Sequence, residues 1–137
     1  MRISVIIPTL NAERELPALL DRLHHQTVKA YEILVVDSES DDRTAAIARE
    51  KGAKVLPIKR EAFDHGGTRN MAASQAAGDV LVFLTQDALP EDERLLEALT
   101  QPLAEHPEVA AVCGRQVARP GASTIERMTV ELNYPSE

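Results

Sequence analysis

One cysteine, no tryptophan, two phenylalanines and two tyrosines leave this 137-residue chain with few of the side chains that often anchor a small core. Cys113 has no partner for an internal disulfide, so nothing requires an oxidising compartment. It ends the apolar run 109–113 (VAAVC), which reads as a strand carrying a buried structural thiol rather than a nucleophile. Long apolar runs are missing too. The run 3–8 is far too short for the core of a leader peptide, and nothing approaches a membrane span. A cytoplasmic protein is expected, with a longer gene product able to sit peripherally at the inner membrane face. Positive charge is scarce. Lys and Arg number 15 against 22 Asp and Glu, a net −7, which argues against nonspecific nucleic-acid binding and, more weakly, against a polybasic membrane tether. There is no internal repeat or low-complexity tract. No Gly-x-Gly-x-x-Gly follows the first apolar run, which disfavours a dinucleotide-binding domain.

What is present is a core of Leu, Ile, Val and Ala in a chain of 44% hydrophobic residues, enough for one domain over 1–137. Residues 3–7 (ISVII) read as a central strand buried on both faces and ended by Pro8. Leu16, Leu19, Leu20 and Leu23 then repeat at helical spacing, with Asn11 as N-cap and Pro17 tolerated in the first turn. A second buried strand, 33–36 (ILVV), runs into Asp37-Ser38-Glu39-Ser40-Asp41-Asp42. Asp42 can cap a helix carrying Ala45, Ile47 and Ala48 and closed by Gly52. A weaker strand spans 54–58, a helix 68–77, and a strong strand 80–84 (VLVFL). A helix starting at Pro90 follows, then the strand 109–113 and a helix 125–132. Alternating strands and helices imply an α/β fold with a mostly parallel sheet flanked by helices. In such sheets ligands sit at the carboxyl ends of the strands, where the polar clusters fall.

Each cluster has a bland reading beside a functional one. Asn11 can simply cap a helix, and Glu13 can simply answer a helix dipole, while Pro8, Thr9 and Leu10 supply the strand exit. Asp37, directly after a buried strand, suits a ribose hydroxyl or a pyrimidine N–H better than turn chemistry alone. For Ser38, Ser40 and Asp42 turn chemistry is favoured, and Asp41 is balanced between the two. Gly66-Gly67 permits positive φ and close approach of a phosphate. Arg69, expected in the first turn of the next helix, would be offset there by an anionic ligand, with Asn70 beside it. His65 reads as a surface loop histidine. Gln86 and Asp87 end the strand 80–84. A lone Asp87 would hold Mg²⁺ or Mn²⁺ only with water and substrate phosphate as further ligands.

Together VIIPTLNAERELPALLDRLHHQ, EILVVDSESDDRTAAIA and AAGDVLVFLTQDALP resemble the family-2, GT-A-fold inverting glycosyltransferases, over roughly residues 4–103. FDHGGTRN with TQDA is most similar to bacterial rhamnosyltransferase-like members. The resemblance implies a Rossmann-like GT-A fold and a nucleotide-diphosphate sugar, dTDP- or UDP-linked, with dTDP-L-rhamnose a candidate donor. It further implies a glycan or lipid-linked acceptor at the cell surface. Pro8, Thr9, Leu10, Asn11, Glu13, Asp37, Ser38 and Asp41 would lie toward the nucleoside, and Gly66, Arg69, Asn70 and Gln86 toward the diphosphate. Asp87 would be the metal-proximal residue of a DXD motif that here reads Thr85-Gln86-Asp87, without its first Asp. Glu126 and Glu131 lie in helical pattern with no motif that nominates either as general base. The chain is therefore expected to be a C-terminally truncated donor-binding half, inactive alone, with possible homo-oligomers through its open edge. The alternatives are a non-catalytic nucleotide-binding or assembly module, and a nucleotidyltransferase. The latter is disfavoured because ISVIIPTLN lacks a Gly-rich loop with Arg and Lys.

Overall fold

The computed structural model describes residues 1–136; Glu137 lies outside the described residues. Four strands, β1 (Ile3–Thr9), β2 (Glu32–Asp37), β3 (Lys54–Pro57) and β4 (Val80–Phe83), form one parallel sheet in the order β3-β2-β1-β4. Helices α1 (Leu16–His24), α2 (Thr44–Glu50), α3 (His65–Gln75), α4 (Leu95–Glu105) and α5 (Thr124–Asn133) alternate with or follow them.

The strand order explains which face each helix covers. From β1 through β3 the chain steps outward in one direction, and right-handed crossovers place α1 and α2 on one face. The step from β3 to β4 passes back over β2 and β1, so the same handedness places α3 on the opposite face. The core divides accordingly by the two-residue period of a strand. Val5, Ile7, Ile33 and Val35 pack with Leu16, Leu19, Leu20, Leu23 and Leu96, whereas Ile6, Leu34, Val36 and Leu56 pack with Ala72. Burying each of those leucines contributes roughly 1.5–3 kcal/mol.

Several expectations are corrected. Asn11 does not cap α1, which begins at Leu16; Asn11 has a left-handed φ of 49° and Glu15 occupies the cap position. Pro17 does sit at the helix start. Glu13 precedes α1 rather than lying in its first turn. Gly66 and Gly67 are not a flexible loop: they form the first turn of α3, and neither has a positive φ. Arg69 is consequently in the second turn. The helix after Pro90 starts only at Leu95, and Pro90 is buried in the preceding segment. Residues 109–113 are not a strand, and Cys113 is exposed. An apolar run becomes a strand only where a neighbour accepts its ladder, and among the described residues β4 pairs with β1 alone.

Candidate functional site

β1 and β4 are neighbours although the chain leaves β1 toward β2, so the switch in strand order falls between them, the place where open parallel sheets bind ligands. The polar residues ending β1, β2 and β4 meet there through side chains rather than through the sheet ladder. At its centre is Asp37, 5% exposed. Its Oδ1 accepts the Thr9 hydroxyl at 2.9 Å and the Ser40 hydroxyl at 2.6 Å, and its Oδ2 accepts the Ser40 N–H at 3.0 Å. This carboxylate therefore makes the turn after β2 and also holds the exit of β1. The Ser38 N–H donates to the Thr9 carbonyl at 3.0 Å, extending the β1–β2 ladder beyond the strands.

From Asp37 the network runs outward. The Asn11 N–H donates to Ser40 Oγ at 2.9 Å, and Asn11 Oδ1 accepts the Asp41 N–H at 2.8 Å. Glu13 Oε2 accepts the Arg43 N–H at 3.0 Å, so Glu13 answers the N-terminus of α2, not of its own helix. Asp42 is not the cap expected for α2, a position Arg43 occupies, but it lies one residue earlier and accepts the Thr44 N–H at 2.9 Å. Arg60, in a single 3-10 turn after β3, closes the ring: it donates to the Glu39 carbonyl and to Asp41 Oδ2, each at 2.8 Å. The Arg60 hydrogen bond and charge hold the Asp41 carboxyl below its usual range, and Asp41 in turn raises the Arg60 guanidinium. Across the β1–β4 boundary, Gln86 Oε1 accepts the Leu10 N–H at 2.9 Å. Pro8 is half-buried behind this rim, and Leu10 is 40% exposed on it.

Asp87 is exposed next to Gln86, and no protein group among the described residues donates to its carboxylate. No cluster of three or more His, Cys, Asp or Glu groups able to hold a metal ion occurs among the described residues. A free hard oxygen without protein co-ligands fits a Mg²⁺- or Mn²⁺-type ion that completes its shell with phosphate and water, and does not fit a closed protein cage. Gly66, Arg69 and Asn70 belong to α3 and make no hydrogen bond to the rim. Arg69 is half-buried and donates to the His65 carbonyl at 2.8 Å, while Asn70 is exposed. His65 opens α3 and meets Phe63 edge-on, with ring centroids 5.0 Å apart. A concavity of about 590 Å³ lined by Cys113, Gly114, Arg115, Tyr134 and Pro135 shares no residue with the rim.

Sequence reasoning missed Arg60, Thr44 and Asp64. Arg60 follows the third strand, so the topology alone places it at the ligand edge. Thr44 Oγ1 accepts the Ala12 N–H at 2.7 Å, a contact with no sequence signal. Asp64 caps α3 by accepting the Gly67 N–H, and an Asp three residues before a helical glycine could have been recognised as a start signal.

Residues 4–136 match the glycosyl transferase family 2 model. The chain belongs to that family. It is 37% identical over 139 residues to the O-antigen chain rhamnosyltransferase RfbN of Salmonella typhimurium, covering 100% of this chain and 44% of that protein. It is 36% identical to the O-antigen chain rhamnosyltransferase WbaN of Salmonella anatum, covering 98% of this chain and 43% of that one. The chain thus spans less than half the length of these relatives. Its fold is similar to glucosyl-3-phosphoglycerate synthase from Mycobacterium tuberculosis in complex with Mn²⁺, UDP and glucosyl-3-phosphoglycerate. The TM-score is 0.63 at 26% identity, over 74% of this chain and 39% of that one. The same mycobacterial enzyme has also been solved with Mg²⁺ and UDP. The family-2 assignment and the GT-A architecture expected from the motifs hold.

Proposed function

We propose that this chain forms the donor-binding half of an inverting glycosyltransferase that uses a nucleotide-diphosphate deoxysugar. The observation that carries the reading is the rim at the switch in strand order: Asp37 ties the ends of β1 and β2, Gln86 ties the end of β4 to Leu10, and the unpartnered Asp87 carboxylate lies beside Gln86. A nucleoside would lie against Thr9 to Asn11 and the Asp37–Asp41 turn. Arg69 and Asn70 would face the diphosphate. In the transfer, an acceptor hydroxyl oxygen bonds to C1 of the sugar as the bond from C1 to the diphosphate oxygen breaks. The electron pair leaves with the nucleoside diphosphate, and the proton passes to a base that no residue of this chain is assigned to supply. A divalent cation at Asp87 would offset charge on the leaving diphosphate, the same electrostatic work asked of Arg69.

Similarity to O-antigen rhamnosyltransferases supports dTDP-L-rhamnose as donor and a cell-surface glycan or lipid-linked acceptor. The UDP complexes of the mycobacterial enzyme support UDP as the competing nucleotide. No helix among the described residues is long and apolar enough to cross a membrane. A cytoplasmic location with peripheral contact at the inner membrane face is part of this proposal.

The test is a thermal-shift titration with dTDP, UDP, GDP and ADP, each with and without Mn²⁺. A ligand that binds only the native state raises the midpoint according to its excess over the dissociation constant. The expected result is a shift selective for dTDP or UDP, enlarged by Mn²⁺, with the Mn²⁺ increment lost in Asp87→Asn. Equal shifts for all four nucleotides, or none for any, would leave the non-catalytic module as the better account.

A further inference from the structure

The least expected polar group in the core is Gln26, 1% exposed at the end of α1. Its amide is fully used. Nε2 donates to the Arg22 carbonyl at 3.2 Å and to the Asp92 carbonyl at 2.8 Å, while Oε1 accepts the Leu96 N–H at 3.0 Å. The Leu96 N–H is one of the first-turn donors of α4 that no helical carbonyl can satisfy. Gln26 is not alone. Arg22 Nη1 donates to the Pro90 carbonyl at 2.7 Å and to the Glu91 carbonyl at 2.9 Å, and the Thr27 N–H donates to the Glu93 carbonyl at 2.8 Å. The consecutive carbonyls of residues 90–93 are thus all held by the C-terminal end of α1.

Residues 84–94, between β4 and α4, contain neither strand nor helix. At the near end the segment is tied to β1 by the Leu84 N–H on the Ile6 carbonyl, and by Gln86 on Leu10. At the far end its hydrogen bonds to earlier elements, among the described residues, come from Arg22, Gln26 and Thr27. Asp87 sits on the exposed turn between the two anchors. Its place relative to the rim depends on both.

Resting on the donor-site reading above, we infer that Gln26 and Arg22 are positioning residues for Asp87. They hold the strand-to-helix segment so that the carboxylate meets a cation on the diphosphate. A buried, fully satisfied amide has few alternative arrangements, so it fixes the segment rather than merely tethering it.

The experiment compares the wild-type chain with Gln26→Met and Arg22→Met. Gln26→Met can disturb the core, whereas Arg22 is exposed and its loss leaves the core intact. Hydrogen exchange is followed residue by residue, and UDP affinity is measured by calorimetry with and without Mn²⁺. The expected result in both variants is faster exchange confined to residues 84–96, with β1–β3 unchanged. The gain in UDP affinity given by Mn²⁺ should shrink about tenfold or more, the size usual for groups that orient a metal ligand. UDP affinity without metal should be unchanged, which a general scaffolding role would not achieve. If Gln26→Met loosens the whole sheet, Arg22→Met decides. Wild-type exchange over 84–96 with an intact Mn²⁺ increment would overturn the inference alone. An equal loss of metal-free affinity would also overturn it. If the wild-type chain binds dTDP but not UDP, the same comparison is made with dTDP. Absence of binding to either nucleotide would instead overturn the donor-site reading, and this inference with it.

Discussion

Gly78 shows how one missing side chain can be required at the sheet's amino end. A Cβ there would stand 2.6 Å from Ser4 Oγ, 2.7 Å from Ser4 N and 2.9 Å from the Arg2 carbonyl. Two of those neighbours are backbone, one in the central strand and one just before it, and cannot swing aside. Gly78→Ala should therefore cost about 1–3 kcal/mol by overpacking, seen as a lower urea midpoint with an unchanged slope. A wild-type midpoint would show that the close approach is relieved. At the opposite end, Asp37→Ala removes the acceptor for the Thr9 and Ser40 hydroxyls and the Ser40 N–H. Leaving such groups unpaired costs about 1–3 kcal/mol. Nucleotide affinity should fall with it, because the strand exits lose their common anchor. Retained dTDP and UDP shifts in a folded Asp37→Ala protein would remove Asp37 from the site.

At the scale of elements, α3 is the informative case. It is read correctly as a helix in sequence but begins three residues earlier than its apolar pattern suggests, because Asp64 caps it. The cap also explains Gly67: a Cβ there would meet Asp64 Oδ2 at 2.8 Å. Glycine at this position serves the capping contact, not a left-handed turn. Asp64→Ala should destabilise the protein by about 0.5–2 kcal/mol. It should also raise exchange at the Gly67 and Thr68 amides before the rest of α3, which carries Arg69. Uniform exchange along α3 would assign Asp64 no capping role. On the other side of the sheet, α1 was legible because its leucines repeat at helical spacing, and α2 from Ala45, Ile47 and Ala48 with Gly52 after them. The run 109–113 was misread because its composition resembles a strand while no neighbouring ladder receives it.

For the whole molecule, acid stability should depend on Glu32, which joins β2 to the start of β4. Its Oε1 accepts the Ala77 N–H at 2.6 Å and the Ser4 hydroxyl at 2.7 Å. Those two bonds, the backbone one first, hold its carboxyl below the usual range. A carboxyl lowered on folding contributes stability that is present above its unfolded pKa and lost as pH falls through the folded value. The thermal midpoint of the wild-type chain should drop from about pH 5 downward, and Glu32→Gln should start lower and show a shallower acid limb. Identical acid limbs would exclude the link. Apolar surface is also left open: Ile125, Met128 and Leu132 are 79%, 66% and 83% exposed on α5. Concentration-dependent self-association is expected, and a sedimentation series that stays monomeric would dismiss it.

Apolar periodicity by itself gave five strands among the helices, of which four form, and polar punctuation marked the strand ends where the polar side chains gather. Both are local properties, carried by residues a few positions apart. The sequence motifs also placed the chain in its family before any coordinate was known. Only the tertiary structure decided that Asn11 joins the Asp41 turn, that Glu13 serves α2, and that Arg60 closes the ring. It alone showed that Gln26 reaches a segment some seventy residues away. These partners are distant in sequence, and what brings them together is the order in which parallel strands lie side by side. A linear pattern does not encode that order residue by residue; the right-handed crossovers and the packing of both sheet faces impose it.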